Sequence, residues 1–230
     1  MKSKHFVLDE EITLIVSKRA SSRSIRISIA GNGVVKASIP RWAPYISAVE
    51  FAKTKLPWIK SKMPDKLFFD MGRQIGKNHH LIFKPTDKDK VTTRLSDIQA
   101  TVFYPKDTPI SDPKVQEAAK RVIKKALNVQ AKNLLPIRLK QLAEKYDYHY
   151  ESIRIKSLKS RWGSCDSQRN ITLNLYLMEL PWELIDYVCL HELNHTVVMQ
   201  HGPKFWDSLS NKLPNCLELR KQLKSRPTLV

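Results

Sequence analysis

The stretch Tyr187–Trp206, YVCLHELNHTVVMQHGPKFW, holds His191, Glu192, His195 and His201, and so concentrates three of the chain's seven histidines in one short segment. If this segment is helical, His191 and His195 leave the same face one turn apart, with about 5–6 Å between their Cβ atoms. Two ring nitrogens at that spacing can converge on one zinc ion at about 2.0–2.1 Å. Glu192 lies roughly 100° around the helix, placed to reach a water activated by the metal rather than the metal itself. The competing reading is a histidine pair on a solvated helix surface. Val188, Cys189 and Leu190 argue against it, because they imply a partly buried helix in which unpartnered imidazoles would be costly.

A catalytic zinc site takes three protein ligands and keeps one position open. On an unbroken helix His201 would lie about 15 Å along the axis from His191. It can serve as the third ligand only if the chain turns back after Met199, and Gly202–Pro203 supplies suitable punctuation. Glu218, and less so Asp207, are the alternatives from a following helix. His79, His80 and His149 read as surface or packing residues.

Working outward, PWELIDYVCLHELNH reads as a helix opened by Pro181, with Leu184, Ile185, Val188 and Leu193 inward. KFWDSLSNKL reads as a further helix burying Phe205, Trp206, Leu209 and Leu213. Upstream, Ile153–Ile155 and Ile171–Leu175 are short strands flanking KSRWGSC (Lys159–Cys165). Asp112 and Pro113 mark the start of a long basic helix, expected to break near Pro136 and resume to about Tyr146. Residues 11–40 read as strands, with Gly31–Gly33 as a hairpin turn between Ser24–Ile29 and VVKASI. One helix should follow Pro44, burying Ile46, Val49, Phe51, Ala52, Leu56 and Ile59, with Trp58 near its end. His80–Phe83, Val91–Leu95 and Ile98–Tyr104 read as further strands. The fold class is therefore α+β, divided into a mainly-β region with one helix (1–108) and a helix-rich catalytic region (109–230). No internal repeat is evident.

Composition narrows the function. A chain of 230 residues with 42% hydrophobic and 27% charged residues suits a water-soluble fold. Its apolar runs fall short of the roughly 20 residues that cross a bilayer, and MKSKHFVLDEEI has no apolar core for a signal peptide. Three cysteines without CxxC spacing fit a reducing, cytoplasmic compartment better than disulfides. Cys165 has no partner cysteine to support an inhibitory-ligand role. The net charge of +18, from 40 Lys+Arg against 22 Asp+Glu, favours polyanions, so nucleic acid is a possible partner. The helix around Lys120, Arg121, Lys124 and Lys125 is locally dense in cations, and no DNA-reading motif is present.

KSRWGSC, ITLNLYL, PWELIDYVCLHELNH and HGPKFW, in this order, resemble the YgjP-like metallopeptidase family, relatives of the SprT-like and WLM zinc peptidases. RSIRISIAGNGVVKASIP and LPWIK resemble that family's leading region, so the likeness covers most of the chain. It implies a zincin-like catalytic domain acting on peptides or proteins, with Zn2+ held by His191, His195 and His201 and Glu192 as general base. His201, Gly202 and Phe205 reproduce the setting of the family's third histidine. TVVMQ (Thr196–Gln200) departs from the pattern, lacking a histidine that relatives often carry there. Arg161, Trp162 and Tyr187 are candidates for substrate contact or support of the ligands. Trp162 also reads as a core anchor, and Tyr187 as a packing residue. The rival function is a basic nucleic-acid-associated protein, or a DNA-linked protease, in which polyanion binding is primary. A structural metal with four protein ligands is a third reading.

Overall fold

The computed structural model describes residues 3–9, 12–29, 34–62 and 68–226. The chain divides into two compact units, one running to Leu67 and one over Phe68–Thr228. The division expected at residue 108 falls inside the second unit, where the following helix packs directly on the preceding strands.

The N-terminal unit contains β1 (Ser3–Asp9), β2 (Ile12–Arg19), β3 (Arg26–Ile29) and β4 (Val35–Pro40), in the sheet order β1-β2-β4-β3. β2 and β4 are parallel, and both outer pairings are antiparallel. Alternation places Ile12, Leu14, Val16, Val35, Ala37 and Ile39 on one buried face. That face is covered by α1 (Tyr45–Thr54) and α2 (Leu56–Lys62), so one expected helix is two, interrupted at Lys55. Ala48, Val49, Ala52 and Ile59 face the sheet, whereas Ile46 is 56% exposed, contrary to the expected apolar face. Ile46 lies about 200° around the helix from buried Ala48 and so points away from the sheet. The Gly31–Gly33 turn lies outside the described residues, although β3 and β4 pair as that hairpin requires. β1 was not anticipated, because its exposed alternate residues hide the strand pattern in charge.

The second unit is organised around α3 (Pro113–Lys145). Asp112 caps it by accepting from the Lys114 amide at 2.7 Å, and Pro113 occupies the first turn. The helix does not break at Pro136. Leu135, Leu139 and Leu142 are buried around it, and the carbonyl left without a donor belongs to solvent-exposed Lys132, where water can serve it. One sheet on α3 has the order β5-β6-β8-β7, from β5 (Gln74–Ile75), β6 (His79–Thr86), β7 (Thr92–Leu95) and β8 (Gln99–Pro105). The other has the order β10-β11-β9, from β9 (Ser152–Lys156), β10 (Gly163–Cys165) and β11 (Asn170–Asn174). A 3-10 turn at Leu175–Glu179 leads to α4 (Trp182–Asn194), followed by α5 (Pro203–Lys212) and α6 (Cys216–Lys224). Among the described residues no helix is long and apolar enough to cross a membrane.

Buried and partly buried polar groups fix how these elements meet. Arg138 of α3 grips Asp186 of α4 through two bonds, Nε to Oδ1 at 2.6 Å and Nη2 to Oδ2 at 2.5 Å. Gln130 of α3 donates to the Ile75 carbonyl at 3.0 Å and accepts from the Lys77 amide at 2.6 Å. Its Nε2 also lies 2.8 Å from His79 Nδ1, and His79 Nε2 lies 3.0 Å from the Ser96 carbonyl. His79 is thus structural. Gly76 between these groups has φ +57, and a Cβ there would sit 2.5 Å from Gln130 Oε1. Replacing Gln130 by alanine leaves several buried groups unsatisfied, and should lower unfolding stability by about 2–4 kcal/mol in a denaturant titration.

Candidate metal centre

α4 reaches the site as a buried helix. Leu184, Ile185, Tyr187, Val188, Cys189, Leu190, Leu193 and Asn194 are all buried, so packing holds the helix in place. The helix ends at Asn194, with His195 as its cap residue. The amides of Thr196, Val197 and Val198 then bond back to Leu193 and Asn194 carbonyls, reversing the chain.

Asn194, fully buried, locks this reversal. Its Nδ2 donates to the Phe205 carbonyl at 3.0 Å, while its Oδ1 accepts from Tyr148 Oη at 2.7 Å and Ser208 Oγ at 2.8 Å. One side chain thus ties α4, α5 and the segment after α3 together. The sequence reading missed it. The available signal was an amide on the apolar side of the helix, where a bland surface residue was not expected.

The reversal brings His201 back onto α4. His201 Nε2 lies 3.1 Å from His195 Nε2 and 2.9 Å from His191 Nε2. Phe205, with no exposed surface, forms the floor: its ring centre is 4.9, 4.6 and 4.8 Å from those of His191, His195 and His201. Trp206 stacks beside His201 at 5.9 Å and is itself covered by the Arg220 guanidinium at 4.4 Å. Trp206 and Leu213 are therefore only partly buried, a correction to the expected inward set.

The donor chemistry fits a divalent metal. His195 Nδ1 is 3.2 Å from the Val198 carbonyl, which can only accept, so that nitrogen carries the proton and Nε2 presents a lone pair. Burial, and then the neighbouring histidines, push His191 down to about 3, and the same causes lower His195. Those two rings are consequently neutral, the form that ligates. Tetrahedral coordination at about 2.0–2.1 Å would place ligand nitrogens roughly 3.3 Å apart, close to the 2.9 and 3.1 Å separations of these Nε2 atoms. Buried His191 Nδ1 has no hydrogen-bond partner. Among the described residues, no other His, Cys, Asp or Glu joins the set. Glu218 and Asp207 are exposed, Glu218 receiving a bond from Gln222 at 3.3 Å.

Glu192 is 5% exposed, and burial raises its carboxyl to about 8 against the opposing pull of Arg161. It lies against β10: a Cβ on Gly163 would sit 2.7 Å from Glu192 Oε1 and 2.8 Å from Cγ. The glycine of RWGSC is thus a space requirement of this carboxylate. Asn174, another residue missed in sequence, fixes the approach to β10. It donates to the Leu158 and Arg161 carbonyls, both at 2.9 Å, and accepts from the Leu158 and Tyr176 amides, both at 3.3 Å. Arg161 is exposed and Trp162 is partly buried. Tyr187 is buried with its ring 5.9 Å from His191, and burial pushes its hydroxyl up to about 12. Cys165 is half-buried and, mainly through burial, is raised to about 11, leaving a protonated thiol outside the histidine set.

Removing the Asn194 amide should free His201 from its register. Asn194→Ala is expected to cost about 1–3 kcal/mol of stability and to weaken metal binding in a chelator competition, with His191 and His195 intact. Unchanged affinity would refute the role given to this side chain.

A comparison with curated proteins gives no match. Similar solved structures include two metallopeptidase zymogens. Abylysin of Pyrococcus abyssi is 21% identical, with 40% of this chain and 93% of that chain covered at a TM-score of 0.37. Jannalysin of Methanocaldococcus jannaschii is 26% identical, with 40% and 94% covered at a TM-score of 0.36. The YgjP-like family, described by its metallopeptidase domain, matches residues 23–226, and the chain belongs to that family.

Proposed function

We propose that the chain is a zinc-dependent metallopeptidase of the HExxH type, with His191, His195 and His201 as ligands and Glu192 as general base. The observation that carries this reading is the convergence of the three Nε2 atoms beside the buried Glu192 carboxyl. A zinc ion bound there would supply Lewis acidity toward a peptide carbonyl and make water acidic enough to react near neutral pH. Three protein ligands, with no fourth candidate among the described residues, favour a catalytic over a structural metal.

The chain's own residues divide the remaining work. A carboxylate oxygen of Glu192 takes the proton of the attacking water and returns it to the leaving amine. Desolvation makes that oxygen a stronger base than an exposed carboxylate, while Arg161 tempers the shift. The positive field of a filled site favours the ionised form that accepts the proton. Among the described residues β10 pairs only with β11, so its other edge can receive an extended peptide by strand addition. Exposed Arg161 stands just before that edge, where it can meet a substrate carboxylate. A reducing, cytoplasmic setting is part of the proposal: Cys189 and Cys216 are buried, unbridged thiols.

Purified full-length protein should contain one zinc per chain by elemental analysis and cut members of a peptide library. His195→Ala should lose both metal and cleavage, whereas Glu192→Gln should keep the metal and lose about 10²–10⁴-fold in rate. Cleavage that survives Glu192→Gln would remove the general-base assignment. Gly163→Ala forces the carboxylate or the strand aside, and should retain zinc while slowing turnover roughly 100-fold.

A further inference from the structure

The cations of this chain are not evenly opposed by acids. Residues 12–49 include Lys18, Arg19, Arg23, Arg26, Lys36 and Arg41 and contain no aspartate or glutamate. The topology of the N-terminal unit collects most of these at one end of its sheet. The parallel strands β2 and β4 finish there, at Arg19 and Pro40. β3 begins there with Arg26 opposite Ser38, and β1 begins there with Ser3 opposite Ser17. Asp9, the described acid of β1, lies at the other end beside Ile12 and pairs with Lys60.

Arg19, Arg23, Arg26 and Arg41 are exposed, and among the described residues no ion pair engages them. The turn after β4 is pinned at this end. Lys18 Nζ donates to the Arg41 carbonyl at 3.0 Å and sits 5.0 Å from the centre of the Tyr45 ring, with Lys4 Nζ 4.9 Å from the same ring. This turn presents Trp42, whose indole is 83% exposed and meets water at the edge of the cationic cluster.

We propose that this end of the N-terminal unit binds single-stranded nucleic acid, with the arginines on phosphates and Trp42 stacked on a base. Each part of the surface has a counterpart in that ligand. A guanidinium presents paired donors that match phosphate oxygens, and the missing carboxylates remove the repulsion a polyanion would otherwise meet. A bared aromatic within a cationic track is the means by which unpaired bases are held without sequence preference. An acidic peptide would neutralise the arginines and leave the indole unused. An anionic membrane would call for a broader apolar face than Trp42 and Ile46, one turn on, provide. The inference is independent of the metal centre.

The test is fluorescence anisotropy of the full-length protein with labelled oligo-dT and oligo-rU of about 15 nucleotides. Wild type should bind both, with affinity falling steeply as salt rises. Trp42→Ala should weaken binding roughly 5- to 100-fold. Arg19→Glu with Arg23→Glu should abolish it at moderate salt, with circular dichroism and peptide cleavage unchanged in both variants. No binding at low salt, affinity indifferent to Trp42→Ala, or tighter binding to phosphatidylserine vesicles than to the oligonucleotides would overturn the proposal.

Discussion

The reversal of the chain between α4 and α5 is the constraint on which the site depends. Two histidines one turn apart can be aligned by any helix. A third from ten residues onward meets them only if the backbone doubles back and is held there. The amide of Asn194 holds it, bonding to the Phe205 carbonyl while receiving the hydroxyls of Tyr148 and Ser208. Phe205 then packs beneath all three imidazoles, so the bond that closes the reversal also sets the floor on which the rings rest.

Burial acts differently on the neighbouring groups of this helix. It suppresses protonation of His191 and His195, which leaves them as neutral donors, and it favours protonation of Glu192. Both effects come from the cost of charge in a poorly hydrated place. A divalent cation offsets both, by accepting the imidazole lone pairs and by favouring the carboxylate. Gly163 contributes space: without a side chain, β10 can lie directly on Glu192 while keeping its outer edge available.

Much of this was legible in the sequence, for identifiable reasons. The α4 pattern and the Asp112–Pro113 helix start are local signals, and the structure follows both, whereas the helix ends at Asn194 rather than near Met199 and Gly202–Pro203 instead opens α5. Pro136 misled because one missing amide was weighed without the buried leucines around it. Ile46 misled because periodicity does not reveal that the side of α1 bearing Ala48 and Ala52 faces the sheet. Asn194 and Asn174 were passed over for a related reason: a buried amide is recognisable only when its several partners, distant in sequence, are known. Placing strands β5–β8 with the helical part likewise required the contacts of α3, since composition changes at residue 108 but packing does not.

The central claim is that His191, His195 and His201 share one metal ion. X-ray absorption at the zinc edge of the purified, zinc-loaded protein tests it most directly. Three imidazole nitrogens at about 2.0–2.1 Å, with one oxygen neighbour from solvent, are predicted. A first shell containing sulfur, or fewer than three imidazoles, would contradict the account.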